Sequence, residues 1–241
     1  IKAMSYYSFF IKRVLRRERC IPIKCRSEAC RQSLKNLLGK EIYEKSKKNI
    51  SLLKKIDKKL KFLNKIDRKV SNMDLIVLST HMSQYNNLII NLLRYISSKN
   101  LITDTGSTKR NIENLINKKK KLKKVFIPSH PIAGSEVSGP NYGDKELFNK
   151  KWCIVINKGE KKKINLVKRF WKKNGSKVVV MNAIEHDKIF AITSHLPHLI
   201  AYNLIKTAQD FQKMQKRNLI KYSAGGLRDF SRTAASNEIM W

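Results

Sequence analysis

Acidic residues are scarce in this sequence. It carries 18 Asp and Glu against 52 Lys and Arg, a formal net charge of +34. Such an excess suits a polyanion-binding protein, because Lys and Arg neutralise phosphates and release counterions. The basic residues are spread along the chain, however, and Lys, Asn and Ile are abundant even where helix faces must form. Compositional drift of the kind an AT-biased coding sequence produces is the preferred reading, and a basic nucleic-acid-binding protein the weaker one. Small anionic substrates gain electrostatic steering in either case.

Other absences narrow the field. No apolar run reaches the roughly 18 residues a spanning helix needs, so no membrane partner is expected. The opening IKAMSYYSFFIKRVLRRERC is interrupted too early by Arg to read as a secretory signal. Cys20, Cys25, Cys30 and Cys153 form no close CxxC pair, so they read as free thiols in a reducing compartment and no metal is expected. A cytoplasmic setting follows. No GxGxxG loop is present, and no internal repeat stands out. With 41% hydrophobic residues the chain can still pack a core.

What is present alternates. Residues 4–19 read as a helix, 20–25 as a short strand, 27–38 as a helix and the Lys-rich 40–70 as a surface helix. MDLIVLST (73–80) is an apolar run fit for a strand buried on both faces. Helix 84–97, strand 100–107, helix 108–121 and strand 124–129 follow. After a polar loop come strand 152–157, helix 160–173 and strand 176–181. Strands alternating with helices imply parallel pairing in an open α/β sheet, with ligands at the carboxyl ends of the strands. From 184 only helices are expected, at 184–207, 208–221 and 226–240, which places a domain boundary near 183.

Four motifs carry chemistry. TDTGSTK (103–109) is a polar turn at a strand end. HPIAGSEVSG (130–139) puts His130, Ser135 and Glu136 in one glycine-containing loop, although a lone loop histidine is often only a satisfied polar group. HDKIFAITSHLPH (186–198) sets Asp187, Ala191, Ser194 and His198 at helical spacing on one face. GGLRDFSRTAASNEIMW (225–241) carries Arg228 and Arg232 one turn apart. Arg pairs bidentately with carboxylates, so two of them suit a dianionic acid; a surface salt bridge to Asp229 is the plainer alternative.

Together, in this order and at this spacing, the four motifs resemble the prephenate dehydrogenase family, which includes arogenate and cyclohexadienyl dehydrogenases. The resemblance covers residues 70–241 and, more loosely, 20–40. It implies a Rossmann-like, mostly parallel sheet over 1–183, then an all-α substrate and dimerisation domain over 184–241. The first strand with its Gly-rich loop is expected to lie before residue 1, and further helices after Trp241. It implies that His130 hydrogen-bonds the substrate's ring hydroxyl and takes its proton, with Ser107 near the hydroxyl and the nicotinamide. It implies that Arg232 holds a substrate carboxylate. Ser135, Glu136, His198, Gly225, Asp229 and Trp241 match positions lining the site. Ser107, Thr80, Arg26 and Ser27 match the cofactor side. Where the family's ribose-binding acid would stand the sequence reads Cys25-Arg26-Ser27, which points from NAD toward NADP.

The expected activity is NAD(P)-dependent oxidative decarboxylation of prephenate to 4-hydroxyphenylpyruvate in tyrosine biosynthesis, by a protein that is a homodimer at full length. Arogenate is the alternative substrate. A nucleic-acid-binding protein and an inactive fragment are the alternatives of another class.

Overall fold

The computed structural model describes residues 9–12, 66–134, 144, 146–216 and 220–235. The chain divides into two compact units, Ile1–Ala183 and Ile184–Trp241.

The first unit is built on β1 (Phe9–Lys12), β2 (Leu75–Leu78), β3 (Leu101–Asp104), β4 (Ser129–Pro131), β5 (Trp152–Ile156) and β6 (Lys177–Met181). Its helices are α1 (Tyr85–Leu93), α2 (Arg110–Asn117), α3 (Lys120–Val125) and α4 (Lys161–Lys173). The strands pair as β1-β2-β3 and β4-β5-β6. A parallel bridge between Ile102 and Phe126 connects the two sets, with Ile127 N donating to Ile102 O at 2.8 Å. The β2–β3 and β5–β6 pairs are parallel.

Alternation along the strands explains why both faces are covered. Ile76, Leu78 and Ile102 point one way and pack with Tyr85, Ile89 and Leu92 of α1, Ile112 and Ile116 of α2, and Leu122 of α3. Leu75, Val77 and Leu101 point the other way and pack with Cys153, Val155 and, from α4, Ile164, Val167 and Trp171. Buried side chains of α4 recur three and four residues apart, leaving its lysines outside.

Several expectations are corrected. Phe9–Lys12 is a strand, not part of a helix, and it pairs antiparallel with β2. The apolar YYSFFI run favours a pleated edge, and the available backbone of β2 overrides the helical pattern. The helix expected over 108–121 is two helices, because Lys119 is extended at φ −134° and ψ 110°. The strand expected over 124–129 gives way to α3, whose last turn closes with Phe126 N on Leu122 O. Pro128 has no N–H for the ladder, so regular pairing begins only at Ser129. β4 and β5 run antiparallel, where the alternation of strands and helices implied a parallel pair. The expected elements at 20–25 and 27–38, and all but the end of 40–70, lie outside the described residues.

The second unit is helical. α5 (Ala183–Phe190) leads through one π-helical turn, Ala191–His195, into α6 (Leu196–Gln215), and α7 (Gly225–Ala234) follows. Pro197 cannot donate to the carbonyl four residues earlier, and the wider turn absorbs the loss, with Leu196 N bonding Ala191 O. The uninterrupted helix expected over 184–207 is therefore broken in register. The shared face drawn through Asp187, Ala191, Ser194 and His198 does not continue across the break. α6 ends at Lys216, which adopts a left-handed conformation, so the helix expected over 208–221 stops early.

Candidate active site

The carboxyl ends of β2 and β3 meet at a tightly bonded turn. Leu78 O, at the end of β2, accepts from Thr105 N at 3.0 Å and from the Tyr85 hydroxyl at 3.1 Å. Asp104, the last residue of β3, is fully buried and organises the rest. Its Oδ2 accepts from Lys109 Nζ at 2.6 Å and from Gly106 N at 2.9 Å, and its Oδ1 accepts from Ser129 N at 3.0 Å. A Cβ on Gly106 would stand 3.0 Å from that carboxylate and 3.1 Å from Met82 Sδ, a close fit that a side chain could enter only if those neighbours shifted by a few tenths of an ångström.

Burial dominates the electrostatics. Loss of water raises Asp104 above the ordinary carboxylate range, although Lys109 and the N–H donors pull the other way. Burial, reinforced by the Asp104 charge, holds Tyr85 well above the usual phenol value. Cys153, on β5, is also pushed far up by burial.

One carboxylate therefore holds the residue immediately before each sequence-predicted catalytic residue. Ser107 follows the Gly106 N–H that Asp104 holds, and His130 follows the Ser129 N–H that it also holds. His130 is half-buried in β4, opposite Ile154 of β5. Ser107 is half-buried with its hydroxyl 3.8 Å from Met82 Sδ, and Thr108 lies 3.5 Å from the same sulfur. Thr80 is half-buried just past β2. Thr80 and Ser107 thus follow adjacent parallel strands, at the edge where open α/β sheets take ligands. His81 plays a structural part, since its Nδ1 accepts from Ser83 N at 3.3 Å and caps the short 3₁₀ turn Met82–Gln84.

The remaining described candidates lie in the helical unit. His198 stands on α6, half-buried, with its ring 6.3 Å from that of Tyr202. Gly225 opens α7, and Asp229 and Arg232 lie along it, all exposed. Ser135, Glu136, Arg26, Ser27 and Trp241 lie outside the described residues.

Sequence reasoning missed three parts of this site. Asp104 and Lys109 stood inside the TDTGSTK motif, and a carboxylate five residues from a lysine across a Gly turn was the available signal. Trp171, which donates from its indole to Ser129 Oγ at 2.9 Å, had no local signal, because 42 residues separate the pair. His186 is fully buried with Nδ1 2.7 Å from Asp187 Oδ1 and its ring 4.5 Å from Phe190, so the HD pair is an internal contact of the helical unit.

Comparison with known proteins agrees with this layout. Residues 31–180 match the prephenate dehydrogenase nucleotide-binding domain, and residues 182–241 match the prephenate dehydrogenase dimerization domain. A cyclohexadienyl dehydrogenase of Zymomonas mobilis is 36% identical over 148 residues, which are 58% of this chain and 48% of that protein. A prephenate dehydrogenase of Lactococcus lactis is 33% identical over 175 residues, 70% of this chain and 46% of that protein. The chain thus spans about half the length of these curated relatives. Among solved structures, the Aquifex aeolicus prephenate dehydrogenase in complex with hydroxyphenyl propionate and NAD+ is 31% identical. It superposes with a TM-score of 0.69, over 88% of this chain and 76% of that one. From motifs, fold and these matches alike, the chain belongs to the prephenate dehydrogenase family.

Proposed function

We propose that the protein is a prephenate dehydrogenase of tyrosine biosynthesis, oxidising prephenate with loss of carbon dioxide to 4-hydroxyphenylpyruvate. The observation that carries the reading is the Asp104 carboxylate, which fixes the turn bearing Ser107 and the strand bearing His130 together at the sheet's carboxyl edge. In this reading the His130 imidazole accepts the proton of the substrate's ring hydroxyl. The Ser107 hydroxyl lies beside that group. The Arg232 guanidinium takes a substrate carboxylate through two parallel hydrogen bonds. Ser135, Glu136, His198, Gly225, Asp229 and Trp241 line the remainder. NAD, held by Thr80 and Ser107 at its nicotinamide end and by Arg26 and Ser27 at its ribose end, supplies the hydride acceptor. Arg26 also suits the extra phosphate of NADP.

The same proposal includes a cytoplasmic homodimer. The helical unit supports the dimer, because it exposes Ile192, Leu199, Phe211 and Met214, the last at 77%. Arogenate is the second substrate reading, favoured by the relative named as a cyclohexadienyl dehydrogenase.

The test is prephenate-dependent reduction of NAD+ or NADP+, followed by absorbance, with arogenate run in parallel. His130→Asn should lower the rate by about 10²- to 10⁴-fold, the usual contribution of a positioned base. A wild-type rate in that variant removes His130 from the chemistry.

A further inference from the structure

We propose that Ser129, clamped by the indole of Trp171, is a positioning residue for His130; this rests on the reading of His130 as the base. Ser129 is fully buried, and its hydroxyl has every bonding capacity filled. It donates at 2.6 Å to Asp104 O, which can only accept. It receives Trp171 Nε1–H at 2.9 Å, which can only donate. Its single proton being used, the Thr103 hydroxyl at 2.8 Å must be the donor of that third bond. The backbone N–H of Ser129 is spent on Asp104 Oδ1 at 3.0 Å. Four hydrogen bonds from three residues therefore fix this one serine.

The consequence passes to the next residue. Side chains alternate across a strand, so with Ser129 directed inward His130 is directed to the opposite face. Pro131, buried on the other side, confines His130 to extended backbone. Trp171 is itself fixed, edge-on to Phe148 at 5.2 Å and to Phe170 at 4.9 Å. An indole on α4 thus sets the direction in which the β4 imidazole points. Displacements of about an ångström in a reacting group can cost about a hundredfold in rate, so the clamp bears on turnover rather than on affinity.

Two variants separate this from a purely structural role. Trp171→Phe keeps one aromatic ring while removing the N–H and the rest of the indole, and Ser129→Ala deletes the hub, so thermal unfolding reads out any packing loss. Steady-state kinetics with prephenate and NAD+, thermal unfolding, and a side-chain NMR titration of His130 are measured on each. The expected result is a fall in kcat of about tenfold in Trp171→Phe with KM changed by less than about twofold. The His130 titration should shift from its wild-type position. The double variant should be no slower than Ser129→Ala alone, because both act through one bond. Wild-type kcat in both single variants, an unmoved His130 titration in both, or multiplicative losses in the double variant would each overturn the proposal. His130→Asn distinguishes the two levels: if it is inactive while the Ser129 and Trp171 variants are normal, only the clamp is wrong. If it is active, the reading of the site fails.

Discussion

Asp104 and Lys109 form an ion pair of 2.6 Å in which neither side chain is exposed to solvent. Desolvating two charges is costly, and the pair persists because Asp104 also receives Gly106 N and Ser129 N. Its position at the end of β3 ties together the two segments that carry Ser107 and His130. The pair serves local geometry more than global stability.

Breaking the pair from one side should therefore be worse than removing it. Asp104→Asn leaves Lys109 buried without its counter-charge and should cost about 3–5 kcal/mol in denaturant unfolding. Lys109→Met should cost less, because a buried carboxyl already raised above its ordinary range can take up a proton. The Asp104→Asn/Lys109→Met double variant should be more stable than Asp104→Asn. A strictly additive loss would contradict the coupling.

Tyr85 gives a pH prediction with a definite sign. Its folded-state value lies well above the ordinary phenol value of about 10, chiefly through burial. The unfolded chain then loses its phenolic proton first as pH rises. The stabilisation is full below about pH 10 and is lost above it, as pH climbs toward the folded value. Tyr85→Phe should remove this alkaline loss. At neutral pH it should cost about 1 kcal/mol for the bond to Leu78 O. Identical alkaline unfolding profiles for the two proteins would exclude the effect.

Cys153 should be chemically silent. Its thiol is fully buried and held far above the ordinary range, so little thiolate exists to react. In a variant with Cys20, Cys25 and Cys30 replaced by Ser, alkylation by iodoacetamide should proceed only as fast as the protein unfolds. Rapid labelling of the native protein would contradict the packing around β5.

Two glycines should respond in opposite ways to alanine. Gly159 has φ +111°, and its added Cβ would lie 2.6 Å from Ile127 Cδ1, so Gly159→Ala should destabilise by roughly 1–2 kcal/mol. Gly225, at the start of α7, has nothing within 4 Å of such an atom. Gly225→Ala should leave the melting temperature unchanged or raise it, while raising KM for prephenate if Gly225 lines the substrate. A lowered melting temperature with unchanged KM would make Gly225 a structural glycine only.

Much of this was legible because it is local. MDLIVLST specified a two-sided strand by its apolar run, and α4 announced itself by Ile164, Val167 and Trp171 at helical spacing. TDTGSTK placed a tight turn where the sheet ends. Motif order alone pointed to the family, since four patterned segments in series constrain the chain more than any one of them.

Tertiary structure decided whatever depends on distant partners. Phe9–Lys12 became a strand because the edge of β2 offered it hydrogen bonds. β4 ran antiparallel to β5, a direction that an apolar run by itself does not encode. The burial of Asp104 with Lys109, and the reach of Trp171 to Ser129, arise only when segments far apart in sequence exclude water around the same few polar atoms. Periodicity records which face of an element is apolar, but it carries no information about which donor will meet which acceptor once that face is covered.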